Sequence, residues 1–205
     1  MSNFQKRILT SIIILPLSIF FIVMGGYSLI FFLLLIFLAG MYEIFTVFKK
    51  KRSAIFLSLI LILSLYSIYY LGNYSLPILF FAIGISISSD IGGYVFGKTF
   101  KWKKLTKISP KKTISGVFGS YFFSIIFLFM YNKFYNFEFN IEAFLMMLFF
   151  SSVAQAGDLT ISYFKRLDKI KDTGKILPGH GGIFDRIDAL MFVAILAFVL
   201  EFIKI

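Results

Sequence analysis

The sequence predicts an all-α membrane protein: a polytopic helical bundle of about seven transmembrane helices with a cytoplasmic N-terminus. The 205 residues are 59% hydrophobic and 15% charged, and the mean hydropathy is +0.90. One soluble core cannot bury so many apolar side chains. The apolar residues also fall into runs of about 20, the length that crosses a hydrocarbon core. The positions of the basic residues supply the third observation, because they give these runs a consistent orientation.

Seven apolar runs are candidate spans, and they lie at residues 8–24, 27–48, 54–71, 76–97, 114–131, 142–163 and 187–204. Lys6 and Arg7 precede the first run, as in a signal peptide. No small-residue cleavage site follows it, and Gly25 and Gly26 lead directly into the second run, so we expect a retained helix. The chain contains no cysteine, which excludes disulfide and thiolate chemistry.

The lysines and arginines cluster in the segments between alternate spans. With a cytoplasmic N-terminus, Lys133 and Lys204 are the only two of the 21 basic residues that fall outside the cytoplasm, as the positive-inside rule requires. The net charge of +11 then belongs to a surface suited to phosphates and anionic headgroups rather than nucleic acid. The chain forms one membrane domain, with motif-free helices over residues 1–75 and a catalytic region over 76–205 that includes cytoplasmic loops 98–112 and 164–186.

Polar residues within the fourth span indicate a site inside the bundle. Asp90 lies about two turns from the cytoplasmic end, where an unpaired carboxylate costs on the order of 3 kcal/mol. Ser86, Ser89 and Gly93 share its helix face. For the small residues, close helix packing is the alternative explanation.

Further acids and bases surround the last two spans. Asp158 and Ser162 are four residues apart on one helix face, and Lys165 and Arg166 follow where the chain leaves the membrane. A structural salt bridge between Asp158 and one of these cations is the alternative to a functional role.

Asp185 and Asp188 share a face at the start of the last helix, where two like charges repel unless a cation lies between them. Carboxylates there could instead complement the helix dipole. With Asp158 and Asp172 they could hold a hard cation such as Mg²⁺, which prefers oxygen ligands.

Two short motifs complete the candidate site. In the SPKKT segment, Ser109 is expected to cap a helix that starts at Pro110, so that Lys111, Lys112 and Thr113 form an anion site. The neighbouring lysines could serve only as a topology signal.

In the GHGG turn the glycines allow the backbone to approach a phosphate closely. The role of His180 stays open between proton donor, phosphate ligand and turn residue. The candidate substrate-binding residues of this turn and the following helix start are His180, Gly181, Gly182 and Arg186.

The segment SYFKRLDKIKDTGKILPGHGGIFDRID at 162–188 resembles the signature of phosphatidate cytidylyltransferases, also called CDP-diacylglycerol synthases. DIGGY at 90–94, SPKKT at 109–113 and GDL at 157–159 resemble further motifs of that family, in the same order. The resemblance covers residues 84–205. Ser115 and Ile161 stand where the family usually has glutamate, which puts any role for those two positions in doubt.

This resemblance implies an integral protein of the bacterial inner membrane that converts CTP and phosphatidic acid to CDP-diacylglycerol and pyrophosphate at a cytoplasmic site. It implies that Asp158, Asp185 and Asp188 bind Mg²⁺, and it leaves open whether a second, monovalent cation also binds. It also implies a homodimer. Lys165, Arg166 and Asp172 join these acids as expected catalytic residues. Asp90, Ser162 and the SPKKT residues are expected to bind substrate. The alternatives are a CTP-dependent lipid kinase of the dolichol type and, less favoured, a transporter with intramembrane aspartates.

Overall fold

The computed structural model describes residues 3–106, 108–135, 140–174, 176 and 181–203, and the side chains from residue 12 onward. The described residues form seven α-helices, which are α1 Asn3–Met24, α2 Gly26–Val47, α3 Lys51–Tyr74, α4 Leu76–Phe100, α5 Ile114–Tyr135, α6 Ile141–Leu167 and α7 Phe184–Ile203. Each corresponds to one apolar run of the sequence, so the all-α class is confirmed.

Five of the described helices, α2 to α6, are long and apolar enough to cross a membrane. The apolar part of α1, Ile12–Met24, is shorter, and α7 carries four charged side chains among its 20 residues. A helical membrane bundle is therefore confirmed, whereas the count of seven spans and the cytoplasmic N-terminus stay predictions. Large apolar side chains such as Phe31, Phe45 and Phe118 are exposed on the outer surfaces of the helices, as a lipid-facing surface requires.

Three polar segments lie at one end of the bundle. They are the turn between α2 and α3, the segment between α4 and α5, and the segment after α6. The Asp168 carboxylate at the end of α6 accepts hydrogen bonds from the backbone N–H groups of Lys49 and Lys50, at 3.0 and 2.7 Å, in the turn between α2 and α3. Arg166 donates to the carbonyl oxygen of Ile108, 3.3 Å away, in the segment between α4 and α5. These bonds gather the polar loops into one region.

Helices α4 and α5 pack with their backbones almost in contact. A Cβ atom at Gly92 would overlap the carbonyl group of Gly119, and one at Gly119 would overlap the carbonyl group of Gly92. The Ser120 hydroxyl donates to the carbonyl oxygen of Ser89 at 2.7 Å. Small residues thus allow the close helix approach typical of membrane proteins, and this contact fixes the start of α5 beside α4.

The start of α5 differs from the sequence-based expectation. Ser109 does not cap a helix that begins at Pro110, because α5 begins at Ile114. Residues before it form a turn, with the Lys112 N–H donating to the Ser109 carbonyl at 3.0 Å, and an isolated antiparallel bridge joins Lys104 to Thr113. The Thr113 hydroxyl instead accepts from the Gly116 N–H at 3.1 Å, the usual bond of an N-capping threonine. The bridge and the turn keep residues 109–113 out of a helical conformation. Helix α5 therefore starts later in the sequence than predicted.

Candidate active site

A cavity of about 340 Å³ opens at the end of the bundle where the polar loops meet. Five parts of the chain line it: α4, the segment before α5, the first turns of α5, α6 and the start of α7. The charged residues and predicted substrate contacts in its wall are Asp90, Ser109, Lys111, Lys112, Thr113, Asp158, Asp185 and Asp188. The helical packing therefore brings together residues that lie almost 100 positions apart in the sequence.

An ion pair crosses this cavity. The Lys112 ammonium lies 2.5 Å from a carboxylate oxygen of Asp158, and both side chains are about one-quarter exposed. The other Asp158 oxygen accepts a hydrogen bond from the Ser162 hydroxyl at 3.3 Å, so Ser162 orients the carboxylate one helical turn away. The salt bridge that was considered for Asp158 had Lys165 or Arg166 as its partner. The structure instead pairs Asp158 with Lys112, and Lys165 with Asp185.

Asp185 is held by three donors. One oxygen accepts from the Lys165 ammonium at 2.8 Å, and the other accepts from the backbone N–H groups of Thr173 and Gly182 at 2.8 and 3.3 Å. The Lys165 and Asp185 side chains are each 11% exposed, so water competes little for this pair. Asp185 thus links α6, the segment after it and the start of α7.

Asp90, Asp158 and Asp188 form an acidic group in the cavity wall, beside the Lys112 ammonium. Their carboxylates lie close enough to repel one another, and Asp188 is 9% exposed. One Asp188 oxygen accepts from the neighbouring Ala189 N–H, at 2.9 Å. Because buried like charges are unfavourable without a cation, this group has the electrostatic character of a cation site.

No three ligating side chains among the described residues are close enough to form a ready-made metal site. Magnesium, however, is usually held by one or two carboxylates together with substrate phosphates and water, rather than by a closed protein cage. Asp158 and Asp188 line the same cavity, so the donor set fits a cation that arrives with phosphates. Asp185 lines the cavity too, but both of its oxygens already accept hydrogen bonds.

The remaining predicted site residues that the structure describes lie outside this cavity wall. Arg166 donates to backbone carbonyls of Ile108 and Ile170, and Asp172 lines a second cleft beside α2. Arg186 lines an apolar cleft described below. Gly181 has a positive φ of 85°, which a glycine adopts without strain. His180 lies outside the described residues.

Three polar residues at or near the site were missed by the sequence analysis. Gln155 lies one turn before Asp158 in the cavity wall, and its buried amide nitrogen has no hydrogen-bond partner among the described residues. Glu43 and Asp168 are almost fully buried, with exposures of 1% and 9%. Glu43 carried a usable signal, because it is the one acidic residue within the second apolar run, and an intramembrane carboxylate is a candidate functional residue.

The fold and cavity define a polytopic membrane protein with a polar, phosphate-compatible site at one end of its bundle. A family model described as "Cytidylyltransferase family" matches residues 71–203, and the chain belongs to this family. The match begins before the resemblance found from motifs and includes α4 to α7 entirely.

Several phosphatidate cytidylyltransferases are similar to this chain. The protein of Rickettsia conorii is 34% identical over 215 residues, which cover 98% of this chain and 92% of that protein. The protein of Staphylococcus epidermidis is 44% identical over 115 residues, or 55% of this chain and 44% of that protein. The protein of Staphylococcus aureus is 47% identical over 107 residues, or 51% and 41%. The chain thus matches less than half the length of the staphylococcal relatives.

Proposed function

We propose that this chain is a phosphatidate cytidylyltransferase, which converts CTP and phosphatidic acid to CDP-diacylglycerol and pyrophosphate. The observation that carries the proposal is the single cavity in which Lys111 and Lys112 face Asp90, Asp158 and Asp188. Two polyanions that react with each other need cations and ordered carboxylates around them. Family membership and the named relatives support the same activity.

The chemistry explains why the cavity wall offers no paired Ser-His or Cys-His arrangement among its described residues. A phosphate oxygen of phosphatidic acid attacks the α-phosphorus of CTP, the bond between the α- and β-phosphates breaks, and pyrophosphate leaves. The attacking phosphomonoester has a second pKa of about 6, so it is already largely ionised at neutral pH. The protein has no need to remove a proton from it.

The side chains of the cavity then bind and orient. Lys112 can transfer its ammonium contact from Asp158 to a phosphate oxygen, since both lie within the same space. Lys111, at the cavity rim, adds a second positive charge. The neutral amide of Gln155 offers a donor without a partner in the part of the chain that the structure describes, and it suits an uncharged acceptor or a phosphate oxygen. These contacts would align the two substrates for in-line attack.

Magnesium belongs to the proposal, with Asp158 and Asp188 as its protein ligands and Asp185 as a predicted third. When bound, Mg²⁺ would neutralise phosphate charge and favour departure of pyrophosphate. A second, monovalent cation and the homodimer stay predictions from the family resemblance.

An apolar cleft supports a lipid substrate. It has a volume of about 320 Å³ and lies among α1, α2, α3, α4 and α7. Its lining is mostly isoleucine, leucine and phenylalanine, but Asp90 and Arg186 also line it, and Asp90 lines the polar cavity as well. A lipid with its acyl chains in this cleft would therefore have its headgroup near the phosphate-compatible cavity.

The decisive assay uses purified protein with Mg²⁺, CTP labelled in the cytosine ring or the α-phosphate, and phosphatidic acid, with each component omitted in turn. We expect labelled CDP-diacylglycerol and an equal amount of pyrophosphate, both dependent on all components. Release of labelled CDP with a lipid alcohol as acceptor would support the lipid kinase instead. Absence of any CTP turnover in folded, lipid-reconstituted protein would contradict both enzyme proposals and favour the transporter.

A further inference from the structure

Helix α2, which carries none of the family motifs, contacts the segment between α6 and α7. The Glu43 carboxylate, in the last turns of α2, accepts hydrogen bonds from the N–H groups of Ile183 and Phe184 at 2.9 and 3.1 Å. It also accepts from the Thr173 hydroxyl at 3.3 Å. Glu43 is 1% exposed and Thr173 fully buried, so water does not replace these bonds.

The positions of the three donors give this contact its significance. Phe184 is the first residue of α7, and Ile183 precedes it, so Glu43 satisfies two N–H groups that a helix start leaves without an internal partner. Asp185 and Asp188 follow within the next turn. Thr173 also donates its N–H to Asp185. A single carboxylate from α2 therefore fixes both the start of α7 and the segment that holds Asp185.

Two glycines make the contact possible. A Cβ atom at Gly174 would lie 2.6 Å from one Glu43 oxygen, and a Cβ atom at Gly182 would lie 2.6 Å from the other. The backbone on both sides of the loop thus wraps closely around the carboxylate. The backbone N–H groups of Lys49 and Lys50, just beyond α2, bind Asp168 of α6 in return, so the two halves of the chain hold each other through two buried carboxylates.

We infer that Glu43 is a positioning residue for the cytidylyltransfer reaction: it holds the start of α7 so that Asp185 and Asp188 face the cavity. The expected effect on kcat rests on the proposed function. The expected effect on the position of α7 does not. Glu43 is not in the cavity wall and touches no reacting atom. Its loss is expected to lower kcat, because the acids move away from their working positions, while the KM for CTP changes less since Lys111 and Lys112 lie on another segment.

The test compares Glu43→Gln with Glu201→Gln, its matched control. Glutamine keeps the size of the side chain but puts an amide N–H₂ where a backbone or hydroxyl donor needs an acceptor. Glu201 is also a partly buried helical carboxylate that accepts a hydrogen bond, from Ser75, but it belongs to the last turn of α7, at the opposite end of that helix. The chain has no cysteine, so a spin label on Ile176→Cys reports the loop alone.

In Glu43→Gln we expect greater label mobility and a kcat lower by at least tenfold, with the KM for CTP within about threefold of the parent. Glu201→Gln should leave label mobility unchanged and kcat within twofold. Gly174→Ala, which pushes on the carboxylate without removing it, should change mobility and kcat in the same direction but by less, and it serves as the second variant if Glu43→Gln does not fold.

Unchanged label mobility in both Glu43→Gln and Gly174→Ala would overturn the inference, whatever their activity. Equal increases in Glu43→Gln and Glu201→Gln would also overturn it, because they would indicate general loosening of the bundle. If the parent protein has no cytidylyltransferase activity while label mobility increases in Glu43→Gln but not in Glu201→Gln, the proposed function fails. The structural part of the inference, that Glu43 holds the start of α7, then stands.

Discussion

The Lys112–Asp158 ion pair lies in the cavity that we propose binds both substrates. The ammonium lies against the carboxylate, so the two charges compensate each other. A phosphate offers the ammonium an equally strong, charge-assisted partner. Exchange of partners would then release the Asp158 carboxylate for a cation at the moment when the nucleotide enters, so binding of the two is expected to be cooperative.

Replacement of Lys112 tests this exchange. We expect Lys112→Ala to raise the KM for CTP by about 10- to 100-fold, the scale of a lost hydrogen bond between charged groups. Lys103→Ala is the control, because this lysine is exposed in the same basic segment but does not line the cavity. Steady-state kinetics with varied CTP give both values. Equal KM changes in the two variants would mean that Lys112 contributes only to the general positive charge of the segment.

Replacement of the cavity acids tests the cation site. Asp158→Asn and Asp188→Asn keep the shape of each side chain but remove its negative charge, and we expect each to reduce kcat/KM by at least about 100-fold. Glu142→Gln, in the exposed first turn of α6 at the other end of the bundle, should stay within twofold of the parent. Activity is measured over a range of Mg²⁺ concentrations. Near-normal turnover of either aspartate variant at all concentrations would exclude that residue as a ligand.

The sequence predicts the residues of the cavity better than the contacts between them. Asp158 was identified as a charge near the end of an apolar run, and Lys112 and Asp188 as charges at expected helix starts. Their pairing could not be derived, since it depends on how α5 and α6 pack. Glu43 could have been identified from its position in an apolar run, but its contacts could not be derived. Its partners lie 130 to 141 residues further along the chain, and no local pattern encodes such a separation.

At the scale of elements, helix positions follow from apolar run length but helix starts depend on tertiary contacts. All seven runs became helices, and α4 begins at Leu76, where the fourth run was placed. The expected cap at Ser109 was wrong because the bridge between Lys104 and Thr113 competes with helix formation over residues 110–113. Thr113 then takes the capping role, a local signal that is clear only once the bridge is known.

The close contact between α4 and α5 allows the effect of a substitution on stability to be predicted. A methyl group at position 119 would overlap the backbone carbonyl of Gly92, so Gly119→Ala must separate the helices, at a cost of about 1–3 kcal/mol for overpacking. At Gly93 the added Cβ would meet the Ser120 hydroxyl at 3.0 Å, and that side chain can rotate away. Thermal unfolding in detergent should therefore show a clear fall in Tm for Gly119→Ala and a smaller one for Gly93→Ala. The reverse order would contradict this packing.

At the scale of the whole molecule, the bundle keeps its polar chemistry at one end. The turn between α2 and α3, the segment before α5 and the segment after α6 are joined there by Asp168, Arg166 and Glu43. The motif-free helices therefore form part of the structure that supports the site, and the apolar cleft that reaches Asp90 requires them too. The division between a motif-free and a catalytic region describes the sequence pattern better than the contacts.

The side of the membrane on which this polar end lies decides whether the proposed reaction can occur, because CTP and Mg²⁺ are available in the cytoplasm. The distribution of basic residues predicts that the polar end is cytoplasmic and that the C-terminal end of α5 faces the opposite compartment. Lys104, Lys133 and Lys171 are exposed, and single cysteines at these positions have no native background. A membrane-impermeant thiol reagent applied to intact cells should label position 133 but neither 104 nor 171, and all three should be labelled after permeabilisation. Labelling of 104 and 171 in intact cells would put the cavity on the side without nucleotide, and the cytidylyltransferase proposal would then be untenable.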